Sequence, residues 1–239
     1  MTTDQGQAPD QAQDQNREQD RDLGRRIRQR FIGRPGSVNT KLRARRFHLL
    51  LERFPNLADM EVIDLGGSVR TWTRAPARPA HVHLLNIDPP VDEPPDWITV
   101  QLGDACDLPA NLAGRSFDLV FSNSVIEHVG GHEMRRRFAD SVHRLSDRHW
   151  VQAPYQYFPL EPHWLFPMFQ FLPVPVQTAV AARWPLSWGV RPRTRAEALP
   201  KVLEIELMTR TLMRYYFPGS EHLSERLFGL RKSLIAVRD

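Results

Sequence analysis

The chain has 239 residues, of which 41% are apolar and 25% are charged, close to the usage of ordinary globular proteins. This composition excludes a collagen-like chain and a fully disordered one. The single cysteine, Cys106, excludes a disulfide-stapled fold and a thiolate metal site. The net charge of +4 and the pI of about 9.6 indicate an attraction to anionic surfaces but specify no fold. We expect a globular domain with additional segments, in a reducing, cytoplasmic setting.

The first part of the chain is divided by charge. Residues 1–22 contain six acidic residues and two arginines, with too few large apolar side chains to offset the entropy of ordering, so we expect disorder. Residues 23–58 are strongly basic, and apolar residues recur there at helical spacing from Lys41 to Phe54, which predicts a basic helical segment. The N-terminus has no signal-peptide core, and no run of about 18–20 apolar residues predicts a membrane span.

The remainder, residues 59–239, alternates between short apolar runs and helical or turn segments. The runs predicted as strands are Glu61–Leu65, His83–Asp88, Trp97–Leu102, Phe117–Ser122, His149–Ala153, Val202–Met208 and Ser233–Val237. A helical pattern covers His132–Leu145. This alternation predicts an α/β fold with a mostly parallel sheet that is covered on both faces.

Residues 154–200 interrupt this order, because they contain nine of the twenty prolines. We expect an insertion or lid there. Its stretch from Trp164 to Trp188 is apolar and is followed by Arg191, Arg193 and Arg195. This composition favours a lid over an apolar pocket or a homodimer contact, and the alternative is peripheral contact with a membrane surface through residues 164–195.

Polar residues follow the predicted strands at the end of the sheet where ligands of open parallel sheets bind. Asp64 and the Gly66-Gly67 turn end the first strand, Asp88 ends the second, and Asp104 follows the third. The fourth strand runs into Ser122-Asn123-Ser124-Val125-Ile126-Glu127-His128. Carboxylates at three successive strand ends predict a site for a nucleoside that is not highly phosphorylated.

Taken together, these four motifs, in this order and spacing, resemble the class I S-adenosylmethionine-dependent methyltransferases of the small-molecule, methyltransferase type 11-like kind. The resemblance covers residues 60–153. It implies a Rossmann-like, doubly wound sheet of seven strands with the last strand antiparallel, and S-adenosylmethionine as cofactor. It also implies a set of cofactor-binding residues: Asp64, Gly66 and Gly67 for the methionine end, Asp88 for the ribose, Asp104 and Ala105 for the adenine, and Ser122 and Asn123 near the methyl group.

The sequence departs from the family pattern in the glycine turn, where Ser68 and Arg70 replace the usual glycines. Arg70 is predicted to pair with the carboxylate of the cofactor, since a guanidinium binds carboxylates in a bidentate manner. The same departure supports an alternative, a non-catalytic adaptor that retains the fold. A nucleotide-cofactor oxidoreductase is a further alternative, but its G-x-G-x-x-G fingerprint is missing.

Two histidines are candidate catalytic bases. His128 closes the fourth motif, and His163 lies in the insertion beside tyrosines, a glutamate and a tryptophan. We predict methyl transfer to a hydroxyl or amine of a hydrophobic or lipid-linked small molecule. The basic residues are not interleaved with aromatic ones, so no nucleic-acid partner is expected. No metal site is expected, because the histidines do not cluster with acids at ligand spacing.

Overall fold

A computed structural model describes residues 38–186 and 192–239. The predicted disorder of residues 1–22 and the first part of the predicted basic segment, residues 23–37, lie outside the described residues. The chain divides into two compact units. The larger, the sheet unit, comprises Arg43–Phe158 and Leu203–Asp239, and the smaller, the insertion unit, comprises Pro159–Val202 together with the first described residues, 38–42. The predicted domain boundaries stay predictions.

The described residues form nine strands and seven α-helices. The strands are β1 (Glu61–Leu65), β2 (His81–Asn86), β3 (Ile98–Leu102), β4 (Leu119–Asn123), β5 (His149–Pro154), β6 (Leu160–Glu161), β7 (Phe166–Pro167), β8 (Glu221–Leu227) and β9 (Leu230–Arg238). The helices are α1 (Val38–Arg53), α2 (Val69–Thr73), α3 (Ala110–Ala113), α4 (His132–Leu145), α5 (Val174–Ala181), α6 (Arg195–Leu203) and α7 (Arg210–Tyr216). Short 3-10 turns occur at Leu57–Asp59 and Phe169–Phe171.

Seven strands of the sheet unit form one sheet in the order β3-β2-β1-β4-β5-β9-β8. Strands β1 to β5 are parallel, and β9 lies antiparallel to both β5 and β8. The strand order reverses between β1 and β4, so the carboxyl ends of these two strands flank the position where open sheets bind ligands. The predicted Rossmann-like sheet, with its last strand antiparallel, is confirmed.

Alternation along each strand produces a separate apolar layer on each face of the sheet. On β1, Val62 packs on the face covered by α1 and α2, and Ile63 packs on the face covered by α4 and α7. The first layer includes the large side chains Trp72, Phe121 and Trp150, all almost fully buried. Because both faces are covered, the central strands consist almost entirely of apolar residues, which made them easy to predict.

The strand predicted at Val202–Met208 is wrong. Helix α6 continues to Leu203, and the following residues form an irregular segment in which Met208 makes one isolated bridge, to Tyr155. Val202, Leu207 and Met208 are buried there by helix and loop packing instead of by a sheet, whereas Leu203 is exposed. The missing strand is β8, an edge strand whose sequence, EHLSERL, is too polar to signal a strand. The predicted strand Ser233–Val237 lies within β9.

The described part of the insertion unit contains two short strands and an apolar cluster. Strands β6 and β7 form a two-stranded antiparallel sheet, and an apolar cluster joins Trp164 and Phe169 to α5 and α6. The rings of Trp164 and Phe169 stack with their centroids 5.0 Å apart, and the indole of Trp184 donates to the Trp164 carbonyl at 2.7 Å. Among the residues searched, those that the structure describes, no helix is long and apolar enough to cross a membrane.

Candidate functional site

One face of the sheet changes from apolar to polar at its carboxyl edge. On this face, six strands each carry an apolar core residue. Two positions closer to the carboxyl edge, the residue on the same face of each strand is polar. We call this set the polar row: Asn86 after Leu84, Asp64 after Val62, Asn123 after Phe121, Gln152 after Trp150, Ser233 beside Ile235, and Glu225 after Leu223. Asp64, Gln152 and Ser233 are buried, and buried polar groups need partners, so the row is not a solvated edge.

The turn after β1 needs glycine at two positions only. Gly66 has a φ of +75°, which L side chains rarely adopt, and a Cβ on Gly67 would overlap the carboxylate of Asp64. Ser68 is the N-cap of α2 with an ordinary extended backbone, at a φ of −132°, and Arg70 lies within the helix. The structure therefore explains why glycines are not required at positions 68 and 70.

Asp64 lies beneath this turn and is completely buried. The indole Nε1 of Trp72 donates to its Oδ2 at 2.8 Å, whereas Oδ1 has no hydrogen-bond partner within the described chain. Burial raises the pKa of Asp64 to about 7, and the Trp72 hydrogen bond opposes this shift only partly. An orphaned carboxylate oxygen directly under the glycine turn is available to a donor from the turn or from a ligand.

A cavity beside the turn brings together the segments that follow β1 and β2. It is lined by Gly67, Ser68, Val69, Leu84, Asn86, Asp88, Pro89, Pro90, Val91, Asp92 and Val100. Asn86 connects the two segments, since its Nδ2 donates to the Gly67 carbonyl at 2.8 Å and its Oδ1 accepts the Asp88 N–H at 3.1 Å. The Asp88 side chain is exposed, as a ribose ligand would require.

Arg70 is already paired within the chain. Its guanidinium donates to both carboxylate oxygens of Asp92, at 3.0 and 3.2 Å, and these hydrogen bonds raise its pKa. The predicted contact between Arg70 and a cofactor carboxylate would compete with Asp92 for the same fork of N–H groups. This contact stays a prediction.

Asp104, Ala105 and Ser122 do not line this cavity. The Oδ1 of Asp104 accepts the backbone N–H of Cys106 at 2.8 Å within the turn after β3, in which Ala105 is buried. The hydroxyl of Ser122 donates to the Leu65 carbonyl at 2.9 Å and so fastens β4 to β1 next to the glycine turn. For Ser122 the observed role is structural, and the predicted cofactor contacts of all three residues stay predictions.

Arg46, on α1, is the centre of a second polar group at the carboxyl ends of β4 and β5. Its guanidinium donates to both oxygens of Glu225, at 2.9 and 2.6 Å, to Oε1 of Gln152 at 3.0 Å, and to Oδ1 of Asn123. The hydroxyl of Ser233 also donates to Glu225. Although burial acts to raise it, the charge of Arg46 holds the pKa of Glu225 below its ordinary value. Sequence reasoning missed Arg46, Gln152 and Glu225.

The loop after β4 begins with a strained residue. Ser124 has a φ of 60°, and its hydroxyl donates to Oε1 of Gln152 at 3.0 Å. Non-glycine residues in this conformation concentrate at functional sites, where surrounding contacts hold them in place. His128, one of the two predicted bases, lies in the same loop, where its backbone N–H donates to the Val125 carbonyl at 2.8 Å.

His163, the other predicted base, belongs to the insertion unit. Its Nδ1 lies 2.7 Å from Oε1 of Glu161, and the other carboxylate oxygen of Glu161 accepts the Trp164 N–H at 2.6 Å. Both side chains are largely buried, with 11% of His163 and 2% of Glu161 exposed. A carboxylate on Nδ1 selects the tautomer that carries its proton there, so the basic lone pair lies on Nε2.

Comparison with known proteins identifies the domain that carries this site. Residues 63–148, from β1 to the segment before β5, match the family model described as a methyltransferase domain. The chain contains a class I methyltransferase domain. The protein is therefore a methyltransferase, and its cofactor is S-adenosylmethionine. No curated protein matches the chain.

Solved structures that resemble this methyltransferase are distant in sequence. A possible exported protein from Bordetella parapertussis aligns with a TM-score of 0.50 and 15% identity, over 83% of this chain and 68% of that one. Magnesium protoporphyrin IX methyltransferase (ChlM) from Synechocystis PCC 6803, with bound SAH, aligns at 0.46 and 16% identity, over 89% and 94%. N-methyltransferase NodS from Bradyrhizobium japonicum WM9 aligns at 0.47 and 11% identity, over 82% and 95%. At these identities a likeness concerns the fold alone.

The residues of the turn fit S-adenosylmethionine. The buried Oδ1 of Asp64 has no partner, Gly67 and Ser68 of the turn line the adjoining cavity, and the exposed Asp88 lines the same cavity. A nucleoside with a free amino acid group offers hydroxyl and ammonium donors, which these carboxylates can accept. Asn86 holds the turn in place and Trp72 holds Asp64 in place. Neither was predicted as a site residue. A sequence signal exists for Asn86, because it is a polar residue at an inward position of a buried strand.

Proposed function

We propose that this methyltransferase acts on a hydroxyl, or an amine, of a hydrophobic or lipid-linked small molecule. The cofactor supplies an electrophilic methyl group, and the acceptor oxygen or nitrogen takes it as the carbon–sulfur bond breaks. The protein has to position the acceptor and remove the proton that the acceptor loses. Two features of the insertion unit support the proposal, a carboxylate–imidazole pair and an apolar surface.

The pair of Glu161 and His163 is the observation that carries this proposal. Glu161 is fixed by the backbone N–H of Trp164 and contacts Nδ1 of His163 at 2.7 Å. A buried carboxylate in this position orients the imidazole and stabilises the imidazolium that forms when Nε2 takes a proton. In the proposed reaction, the hydroxyl proton of the acceptor moves to Nε2 of His163, and Glu161 acts as its positioning residue.

The apolar nature of the insertion unit supports a hydrophobic acceptor. Its described part exposes six large apolar side chains, namely Leu160, Met168, Phe171, Val174, Val176 and Leu199. Single exposed apolar residues are normal, but six within 40 residues of one small unit favour contact with an apolar ligand. Contact of residues 164–195 with a membrane surface, and a homodimer contact through the same segment, stay predictions.

Methyl transfer with matched acceptors tests this function. Labelled S-adenosylmethionine is incubated with 4-octylphenol, 4-methylphenol and 4-octylaniline, and we expect transfer to the octyl compounds at the higher kcat/KM. The His163→Ala variant should lose about a hundredfold in kcat, the magnitude typical of a general base. His48→Ala serves as control, since the His48 side chain is 80% exposed on α1.

The Glu161→Gln variant separates positioning from folding. It should lower kcat and move the acidic limb of the pH profile to lower pH, because the imidazolium loses its neighbouring negative charge. A preference for 4-methylphenol, or an unchanged rate in His163→Ala, would contradict the proposal. In the second case His128, in the loop after β4, is the alternative base.

A further inference from the structure

Ser124, the first residue after β4, is held in a left-handed backbone conformation by the neighbouring strand. Its φ of 60° is uncommon for a residue other than glycine and persists only where the surroundings enforce it. Gln152 of β5 supplies two hydrogen bonds that do so. Its carbonyl accepts the Ser124 N–H at 2.9 Å, and its Oε1 accepts the Ser124 hydroxyl at 3.0 Å. Gln152 therefore fixes both the backbone and the side chain of Ser124.

Gln152 is itself fixed from the other side by Arg46 of α1. It is only 2% exposed, and the same Oε1 accepts Nη1 of Arg46 at 3.0 Å. The guanidinium of Arg46 is held in turn by both carboxylate oxygens of Glu225. Because the guanidinium keeps Oε1 in place, the acceptor for the Ser124 hydroxyl is preorganised. A continuous chain of contacts thus runs from α1 through β5 to the loop after β4.

The residue that follows Ser124 contacts the glycine turn. A Cβ placed on Gly66 would lie 2.6 and 2.8 Å from the two γ-methyl groups of Val125, so Val125 packs directly on Gly66. On its other side, the N–H of Gly66 donates to the Leu85 carbonyl of β2 at 2.7 Å. The turn is therefore held between β2 and the loop after β4. The φ of Ser124 sets the direction in which the chain leaves β4, and so determines whether Val125 reaches Gly66.

We propose that Gln152 is a positioning residue for cofactor binding, which acts on the glycine turn through the loop after β4. Gln152, fixed by Arg46, holds Ser124 in its left-handed conformation. Val125 then packs on Gly66 and holds the turn in the shape that binds S-adenosylmethionine. If the loop leaves this conformation in part of the molecules, the apparent dissociation constant rises in proportion. This role does not depend on which acceptor the enzyme methylates.

Two substitutions at Ser124 test this role by calorimetric titration of the full chain with S-adenosylhomocysteine. Ser124→Ala removes the hydroxyl but keeps a Cβ in the unfavourable conformation, so we expect the dissociation constant to rise about fivefold. Ser124→Gly also removes the hydroxyl, but glycine adopts this φ readily, so we expect a constant within about twofold of the wild type. Phe228→Ala is the control, because Phe228 also has a positive φ, of 52°, in the exposed turn between β8 and β9.

Substitution of Gln152 tests the first contact of the chain. Gln152→Met removes the acceptor oxygen and keeps a side chain of similar length, and we expect the dissociation constant to rise about fivefold. Addition of Ser124→Gly should restore most of the affinity, because glycine does not need the hydrogen bond. Val125→Ala should weaken binding by a similar factor. Its combination with Gln152→Met should bind about as well as either single variant, because both break the same chain of contacts.

Each titration is made at a temperature at which circular dichroism shows the variant to be folded. Unchanged dissociation constants in Ser124→Ala and folded Gln152→Met would overturn the proposal, because the network would then act on stability alone. Equal losses in Ser124→Ala and Ser124→Gly would also overturn it, since they would show that the Ser124 hydroxyl contacts the ligand itself. If Gln152→Met does not fold, the two variants of half-buried Ser124 still decide between these outcomes.

Discussion

The two halves of the carboxyl edge of the sheet differ in chemistry. Beyond β1, β2 and β3 lie the carboxylates Asp64, Asp88 and Asp104, and beyond β4 and β5 lie the amides of Asn123 and Gln152, which Arg46 contacts. The first half carries carboxylate acceptors, whereas in the second half both amide oxygens are already bound by the guanidinium of Arg46. The comparison teaches that one edge of one sheet can carry two groups of polar residues of opposite character side by side.

The halves also differ in how their polar groups are satisfied. In the acidic half, Asp64 is buried with one unpartnered oxygen, and the neighbouring Arg70 binds Asp92 on the exposed surface. In the other half, Arg46, Glu225, Gln152 and Asn123 form one connected network. Substitutions in the connected network should therefore cost more folding free energy than substitutions around the glycine turn.

The largest effect is expected when the network loses its centre. Arg46→Ala leaves the buried carboxylate of Glu225 without its cation, and we expect the free energy of unfolding to fall by about 3–5 kcal/mol. Urea denaturation measures this loss. Arg45→Ala, at an exposed neighbouring position on α1, should change stability by less than about 0.5 kcal/mol. A similar small change in both variants would show that the network does not act as a unit.

The next effect concerns the protonation of Asp64. Its pKa is raised to about 7 in the folded protein, so the folded state binds its proton more tightly than the unfolded chain does. The contribution to stability is present below the ordinary pKa and is lost as the pH rises through 7, by an amount of roughly 3–4 kcal/mol.

Asp64→Asn removes this dependence. Relative to the variant, the wild type should lose stability between pH 4 and pH 7, as measured by denaturation at each pH. The comparison with the variant is needed because buried His149, whose pKa is lowered to about 4, gives the opposite trend in the same range. Parallel stability curves for the two proteins would mean that Asp64 is ionised throughout.

A smaller effect is expected in the glycine turn. Gly67→Ala forces a methyl group against Asp64, and we expect a loss of about 1–3 kcal/mol in stability together with weaker binding of S-adenosylhomocysteine. The matched control is Gly114→Ala, since Gly114 has a φ of −107° and nothing within 4 Å of an added Cβ. Thermal unfolding and calorimetry measure both properties, and equal behaviour of the two variants would contradict the close contact.

The smallest effect concerns the exposed pair of Arg70 and Asp92. If Arg70 binds the carboxylate of the cofactor, Asp92→Asn should release it and tighten binding of S-adenosylhomocysteine by at most about fivefold. Binding of 5′-methylthioadenosine should not change. Weaker binding of S-adenosylhomocysteine in this variant would instead show that Asp92 itself, as a cavity residue, contacts the ligand.

The sequence was sufficient for the central strands and for the acids at their ends, because a sheet buried on both faces leaves continuous apolar runs that stop where the site begins. It was insufficient for β8, whose polar edge carries no such run. It was also insufficient for Arg46 and Glu225, which are 179 residues apart and meet only through tertiary packing. In the sequence, Arg46 resembles any basic residue of a solvent-exposed helix. The neighbouring residues do not distinguish it from Arg45.

The central claim is that the acidic half of the edge holds the cofactor, and calorimetric titration with S-adenosylhomocysteine tests it most directly. The wild-type chain should bind saturably, and Asp88→Ala should raise the dissociation constant at least about tenfold, because it removes a charged hydrogen-bond acceptor. Asp96→Ala, an exposed acid before β3, should bind like the wild type. Absence of binding by the folded wild-type chain, or equal affinities of the wild type and Asp88→Ala, would contradict the account.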